Sequence, residues 1–251
     1  MRNVAVNAFV TLDGVMQAPG GPEEDPTGGF SDGGWSVNYW DESMGRVMAE
    51  SMAEPFDLLL GRRTYEIFAA HWPRAGEGAR DDLGGTASEI EDPAAHALNS
   101  ARKYVASRTL TTVEWNNSVL LEGDAAEAVA KLKTEDGPTL AVHGSSDLIQ
   151  TLLAHDLVDE IRIWTFPVTV GPGKRLFGDG TRSAAFQAVA STTSSTGVVI
   201  TTYRRAGEIE RGSFAFETAT DDELARRRRL AAEDTANASG STTTDHDQAR
   251  T

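Results

Sequence analysis

The sequence predicts an α/β fold: a mixed, mostly parallel sheet flanked by helices and finished by antiparallel strands. Three observations carry that prediction. Short apolar runs alternate with helical patterns between residues 4 and 164, the rhythm of parallel strands joined by crossover helices. Two strand-like stretches, 185–192 and 198–203, then follow with a short connection between them, as in an antiparallel pair. Several of the early strand runs also end in Gly, Ser or Arg where a helical pattern begins, and open α/β sheets place ligands beyond such strand ends.

Taken in order, Val4, Val6, Ala8 and Val10 alternate as a strand. A Gly/Pro-rich loop covers 14–38; loops of this length inside a domain are usually functional or disordered. With Phe30 and Trp35 it reads as a lid. Residues 41–54 read as a helix with Met44, Val47, Met48 and Met52 at helical spacing, the methionines filling core. Leu58-Leu59-Leu60, closed by Gly61, fits a buried strand leading into a helix start at 62–66. Strands are expected at 103–106, 119–121, 139–142 and from Ile161, and helices at 125–133 and 145–155, where Leu148, Leu152 and Leu153 share a face.

Composition bounds the function. Of 251 residues, 38 are acidic and 23 basic, a net charge of −15 that argues against binding to a nucleic-acid backbone. No cysteine is present, which excludes disulfides, thiol nucleophiles and Cys-ligated metal. No run of 18 apolar residues occurs and the first strand alternates into Asp13, so a cytoplasmic protein without membrane partners is expected. Residues 1–205 read as one domain carrying −11 of the charge; 206–251 read as an acidic extension with a short helix at 221–233 and a disordered end. The arginine run 226–229 reads as a solvated helix face because acids flank it.

Three strand ends carry candidate chemistry. Gly61-Arg62-Arg63-Thr64 joins a strand to a helix N-terminus, whose free N–H groups suit phosphate, and arginine adds a planar fork. Ser107-Arg108 closes the strand at 103–106 with a hydroxyl and a guanidinium. Gly144-Ser145-Ser146 follows the strand at 139–142; the glycine allows close backbone approach, and Ser145 or Ser146 is expected to cap the helix. Asp147 in that first turn must point away if an anion binds there. His143 reads as a structural or rim residue, because no partner lies at metal-ligand spacing, and no metal site is expected.

The segments VNAFVTLDGVM at 6–16, DLLLGRRTYE at 57–66, YVASRTL at 104–110 and the stretch 142–180 together resemble the dihydrofolate reductase fold. The resemblance is closer to the C-terminal reductase domain of the bifunctional riboflavin-biosynthesis deaminase-reductase and its stand-alone relatives. Leu157-Val158-Asp159-Glu160, Pro167, Gly171-Pro172-Gly173 and Leu176-Phe177 look like that family's signature, whereas GRRTYE is nearer the Gly-Arg-x-Thr-Trp of dihydrofolate reductases. The resemblance spans about 2–205. It implies a dihydrofolate reductase-like sheet, NADPH as hydride donor, a small-molecule substrate and a homodimer.

By position the resemblance puts Gly61, Arg62, Arg63 and Thr64 at the pyrophosphate and adenosine 2′-phosphate, and Ser107 and Arg108 at the 2′-phosphate. It puts Gly144, Ser145 and Ser146 under the pyrophosphate or nicotinamide ribose. Asp41, on the helix after the long loop, matches the carboxylate that binds a pterin ring and serves in catalysis, though a helix-start acid is also what the macrodipole favours. The implied reaction is hydride transfer to a C=N or C=O bond of a pterin- or aminopyrimidine-like ring. Two alternatives stand beside it: the 5-amino-6-(5-phosphoribosylamino)uracil reductase step, or a non-catalytic nucleotide- or heterocycle-binding protein.

Overall fold

The computed structural model describes residues 1–75 and 93–240. The chain divides into two compact units, Met1–Ile209 and Glu210–Thr251. In the first, eight strands of the described residues form one sheet. They are β1 (Val4–Thr11), β2 (Phe56–Gly61), β3 (Lys103–Ala106), β4 (Ser118–Leu120), β5 (Thr139–His143), β6 (Glu160–Phe166), β7 (Phe186–Thr193) and β8 (Val199–Arg205). The order across the sheet is β4-β3-β2-β5-β1-β6-β8-β7. The strands up to β6 are mutually parallel, and β8 runs antiparallel to both β6 and β7. This is the mixed sheet with antiparallel C-terminal strands that the sequence predicts.

Five helices pack on this sheet: α1 (Glu42–Ser51), α2 (Arg62–Ala75), α3 (Pro93–Ser100), α4 (Ala125–Thr134) and α5 (Ser146–Ala154). Val4, Val6, Ala8 and Val10 turn one face of β1 into the core shared with Leu140 and Val142 of β5, Val129 of α4, and Ile149 and Leu152 of α5. Phe9 on the opposite face packs with Met44 of α1 and Trp164 and Phe166 of β6. With both faces covered, Leu58, Leu59 and Leu60 of β2 are all fully buried, which is why they read as an unbroken apolar run.

α3 is absent from the sequence reading; its buried apolar positions, Ala95 and Leu98, make too short a pattern. It is anchored by Lys103. That fully buried ammonium donates to the carbonyls of Asn99 (2.7 Å) and Ala101 (2.8 Å) and lies 4.2 Å from the Trp115 ring centre. Burial holds its pKa down at about 8.

The signature-like segments are structural seams. Asp159 accepts from the Val4 N–H (2.8 Å) and pairs with Lys133, whose ammonium also donates to the Leu157 carbonyl (2.8 Å). Residues 171–176 run against the start of the long loop. Met16 N–H donates to the Lys174 carbonyl (2.8 Å), Leu176 N–H to Gly14 O (3.1 Å), and Val15 forms a bridge with Arg175. Gly173 must be glycine, since an added Cβ would lie 2.6 Å from Val15 Cγ1.

The second unit holds α6 (Asp221–Gly240), which extends beyond the expected 221–233. Arg226 and Arg227 both pair with Glu223 one turn back, as on a solvated helix face. The rest of the expected disordered end, from 241, lies outside the described residues.

Candidate functional site at the strand-order reversal

Neighbouring strands β2 and β5 send the chain in opposite directions. From β2 it passes through α2 and α3 to β3, away from β1. From β5 it passes through α5 to β6, on the far side of β1. A crevice must open where such connections part, beyond the carboxyl ends of the two strands. A cleft of about 1430 Å³ lies there. Pockets for one drug-sized molecule occupy roughly 300–1,000 Å³, so this one has room for an extended ligand and a second molecule.

The strand ends meet across it. Gly61 N–H donates to Ser145 Oγ at 2.9 Å. Gly144 and Ser145 are both left-handed, with φ of +59° and +65°. A Cβ at Gly144 would sit 3.4 Å from Thr64 Oγ1. Ser145 holds the N-cap position of α5 but makes no capping hydrogen bond. This corrects the expected cap: the left-handed turn swings the hydroxyl onto β2 and leaves the first N–H groups of α5 without a side-chain acceptor at the N-cap. Ser146 and the exposed Asp147 also line the cleft.

One strand over, Ala106 of β3 registers with Gly61, so Ser107 and Arg108 continue the same rim. Ser107 Oγ accepts from the N–H groups of Thr109 (3.1 Å) and Leu110 (2.9 Å). The three arginines differ. Arg62 is paired with Glu66 at 3.1 Å along α2. Arg63 donates to Thr27 Oγ1 (2.7 Å) and faces Asp25 (3.7 Å), which also pairs with Lys174. Arg108 is exposed and has no hydrogen bond or ion pair among the described residues.

Aromatic side chains line the cleft as well, with two polar ones among them. Asn7 and Phe9 of β1, Trp40, Met48 of α1, Phe68 of α2 and His143 of β5 line it. Trp40 is 45 % exposed and stacks on Trp164 at 6.0 Å and 10°. Of the methionines expected in the core, Met44 is fully buried, and Met48 and Met52 pack partly buried against core clusters while also lining the cleft. Phe30 and Trp35 do not face it. Phe30 packs on Val15 and Ala18, and Trp35 packs edge-on against Phe166 with its indole N–H on Gln17 O (2.8 Å). The long loop builds a small core of its own, and its cleft-facing part is Met16 to Gly20 with Glu24 and Asp25.

Asp41 is placed away from the cleft lining. It is the N-cap of α1, with Oδ1 accepting from Met44 N–H (2.8 Å) and Ser43 Oγ (2.7 Å). Its Oδ2 accepts from Ser195 N–H (2.8 Å) and Oγ (2.6 Å) in the β7–β8 turn. Hydrogen bonds from Ser195 and Ser43, with Met44 N–H, hold its carboxyl well below the usual carboxylate range, so it is a poor proton donor. A depressed folded-state pKa contributes stability above the unfolded value of 3.8 that is lost as pH falls below it. Asp41→Ala is therefore expected to melt below the parent at pH 7, with the gap in Tm closing as the scan is repeated below pH 3.8. A gap that stays constant into acid would contradict the capping role.

Asp13 likewise serves structure. It accepts from Thr11 Oγ1 (2.5 Å) and from the Gly171 N–H (2.8 Å), closing the loop seam. Among the described residues no group of three or more His, Cys, Asp or Glu could hold a metal ion, and no helix is long and apolar enough to cross a membrane.

An open α/β domain with a single sheet, a crevice at its strand-order reversal and antiparallel closing strands is the class these features define. The chain belongs to the RibD C-terminal domain family, whose model matches residues 2–200. It is 28 % identical over 206 residues to the uncharacterized protein YyaP of Bacillus subtilis (strain 168), covering 80 % of this chain and 94 % of that one. The fold is shared with a protein provisionally assigned to riboflavin biosynthesis from Shewanella sp. PV-4 (TM-score 0.53, 22 % identity, 82 % of this chain and 99 % of that one). It is shared too with the diaminohydroxyphosphoribosylaminopyrimidine deaminase/5-amino-6-(5-phosphoribosylamino)uracil reductase of Thermotoga maritima. That match has a TM-score of 0.50 and 16 % identity, and covers 82 % of this chain and 57 % of that one.

Proposed function

We propose that the protein is an NADPH-dependent reductase of a small planar heterocycle, pterin- or aminopyrimidine-like. The observation that carries this reading is the cleft at the strand reversal, lined both by glycines, hydroxyls and a free arginine and by aromatic rings. The family and the reductase named among the fold relatives support it.

The residues fit the cofactor. Gly144, Ser145 and Ser146, with Thr64 and Gly61 opposite, make a cradle that a Cβ would narrow and that holds the open N-terminus of α5, suited to a pyrophosphate. Ser107 and Arg108 would receive the 2′-phosphate, with Arg62 and Arg63 at its flank. NADPH supplies the hydride; the protein binds it, orients it against the ring and excludes water. The long loop, pinned by its seam to 171–176, closes that side of the cleft. In a chain of net charge −15, the local cation at Arg108 offsets a field that repels a polyanion.

The test is a thermal melt with NADPH, NADH and neither. Cofactor at about 100 times its Kd stabilises by roughly 2.7 kcal/mol, a Tm rise of about 5–10 °C for a chain of this size. Arg108→Ala is expected to weaken NADPH binding about tenfold and NADH binding much less, because only NADPH carries the 2′-phosphate. No shift with either cofactor at millimolar concentration sinks the reading. Cofactor and ring binding without NADPH oxidation across a panel of pterins and aminopyrimidines would instead identify a binding protein.

A further inference from the structure

We propose that His143 is the hydrogen-bond donor that orients the ring substrate, and that Asn7 and Trp164 fix which of its nitrogens carries the proton. The inference rests on the reading of the cleft as the site of a planar heterocycle, and it names the edge that heterocycle must present. His143 ends β5 directly beside Asn7 of β1, and both line the cleft.

The tautomer follows from a chain of forced choices. An indole nitrogen can only donate. Trp164 Nε1 donates to Asn7 Oδ1 at 2.7 Å, so the Asn7 amide nitrogen is the group 3.3 Å from His143 Nδ1. That amide also lies 3.9 Å from Met48 Sδ. An amide nitrogen donates, so His143 Nδ1 must accept and the ring proton sits on Nε2. Burial, with the positive Arg162 nearby, lowers the His143 pKa to about 4, so the ring stays neutral near neutral pH. Nε2–H has no partner among the described residues. The His143 side chain is only half-buried, and it lines the cleft. Its unpaired Nε2–H is the donor it can offer a ligand in the cleft.

A fixed neutral N–H beside Phe68, in a cleft also lined by Phe9 and Trp40, selects a planar ring whose edge carries an acceptor, such as a carbonyl oxygen. A ring without an acceptor on that edge leaves the donor desolvated and unpaired, which is costly. Asn7 acts through His143 and is a positioning residue; Trp164 positions Asn7.

The test uses the full chain, titrated by tryptophan fluorescence with lumazine and 5,6-diaminouracil, which carry ring carbonyls, and with unsubstituted pteridine, which carries none. Titrations are run with and without NADP⁺. The parent is expected to prefer the carbonyl rings. His143→Asn keeps a group beside Asn7 but withdraws the donor, and is expected to bind them about tenfold more weakly and lose the preference. His143→Gln places an amide N–H near Nε2 and is expected to stay within about threefold of the parent. NADP⁺ affinity should change less than about twofold in both variants. In parallel, ¹⁵N NMR of the parent is expected to show the Nε2–H tautomer of His143, and Asn7→Leu to lose it.

An Nδ1–H tautomer in the parent overturns the proposal, as does unchanged selectivity in His143→Asn or no binding of either carbonyl ring. Failure of NADP⁺ to bind, with ring selectivity intact, removes the cofactor reading and leaves this one standing.

Discussion

Asp57→Ala is expected to lower the unfolding free energy by about 3–5 kcal/mol, a large part of the roughly 5–15 kcal/mol that holds a domain together. The reason is Arg2. Its side chain is 2 % exposed, and Asp57 beside it is 14 % exposed. The guanidinium pairs with the Asp57 carboxylate, donates to Pro138 O at 2.8 Å and lies 5.5 Å from the Tyr104 ring centre. Taking away the carboxylate leaves a buried cation facing a carbonyl, the Tyr104 hydroxyl (3.4 Å) and its ring, none of which neutralises it. The double variant Arg2→Met with Asp57→Leu removes both charges and is expected to recover most of the loss. Urea denaturation at unchanged m-value reads both. A loss under about 1 kcal/mol for Asp57→Ala would show that water reaches the guanidinium and that the pair behaves as a surface one.

This ion pair was invisible in the sequence, whereas its surroundings were not, and the contrast is physical. Val4, Val6, Ala8 and Val10 announce a strand because burial of one face imposes a period of two. Leu58, Leu59 and Leu60 announce one because both faces are covered. Gly144 could be read at a strand end because its left-handed backbone restricts residue type locally. Strand order is not local. Nothing near β5 says that it lies between β2 and β1, yet that placement creates the crevice.

The same distinction separates the site residues that were read from those that were not. Asp41 at a helix start fits a cap and a substrate ligand equally well, and the partner that decides, Ser195, lies 154 positions away. Asn7 stands 136 positions from His143 and 157 from Trp164. Each alone is an ordinary strand residue, so the sequence supports no more for His143 than a structural or rim role. Phe30 and Trp35 misled in the opposite direction. Aromatic residues in a glycine-rich loop suggest a lid, but a loop of this length can bury them against itself.

Gly144→Val is expected to weaken NADPH binding about a hundredfold or more, equivalent to about 2.7 kcal/mol, while costing only about 1–3 kcal/mol of stability. Two effects act at the one position. At φ +59° a side chain is strained, and a β-branched one most of all. Its Cβ would lie 3.4 Å from Thr64 Oγ1, and the two further methyl groups would crowd the cradle between β2 and the start of α5. Gly180→Val separates the two effects. Its φ of +83° imposes comparable strain, nothing lies within 4 Å of the added Cβ, and it is not among the cleft residues. It should lose stability with NADPH affinity unchanged. Cofactor titration beside denaturant unfolding reads each quantity separately. A Gly144→Val protein that binds NADPH like the parent would place the pyrophosphate elsewhere, because no phosphate can approach that turn closely with an isopropyl group in the way.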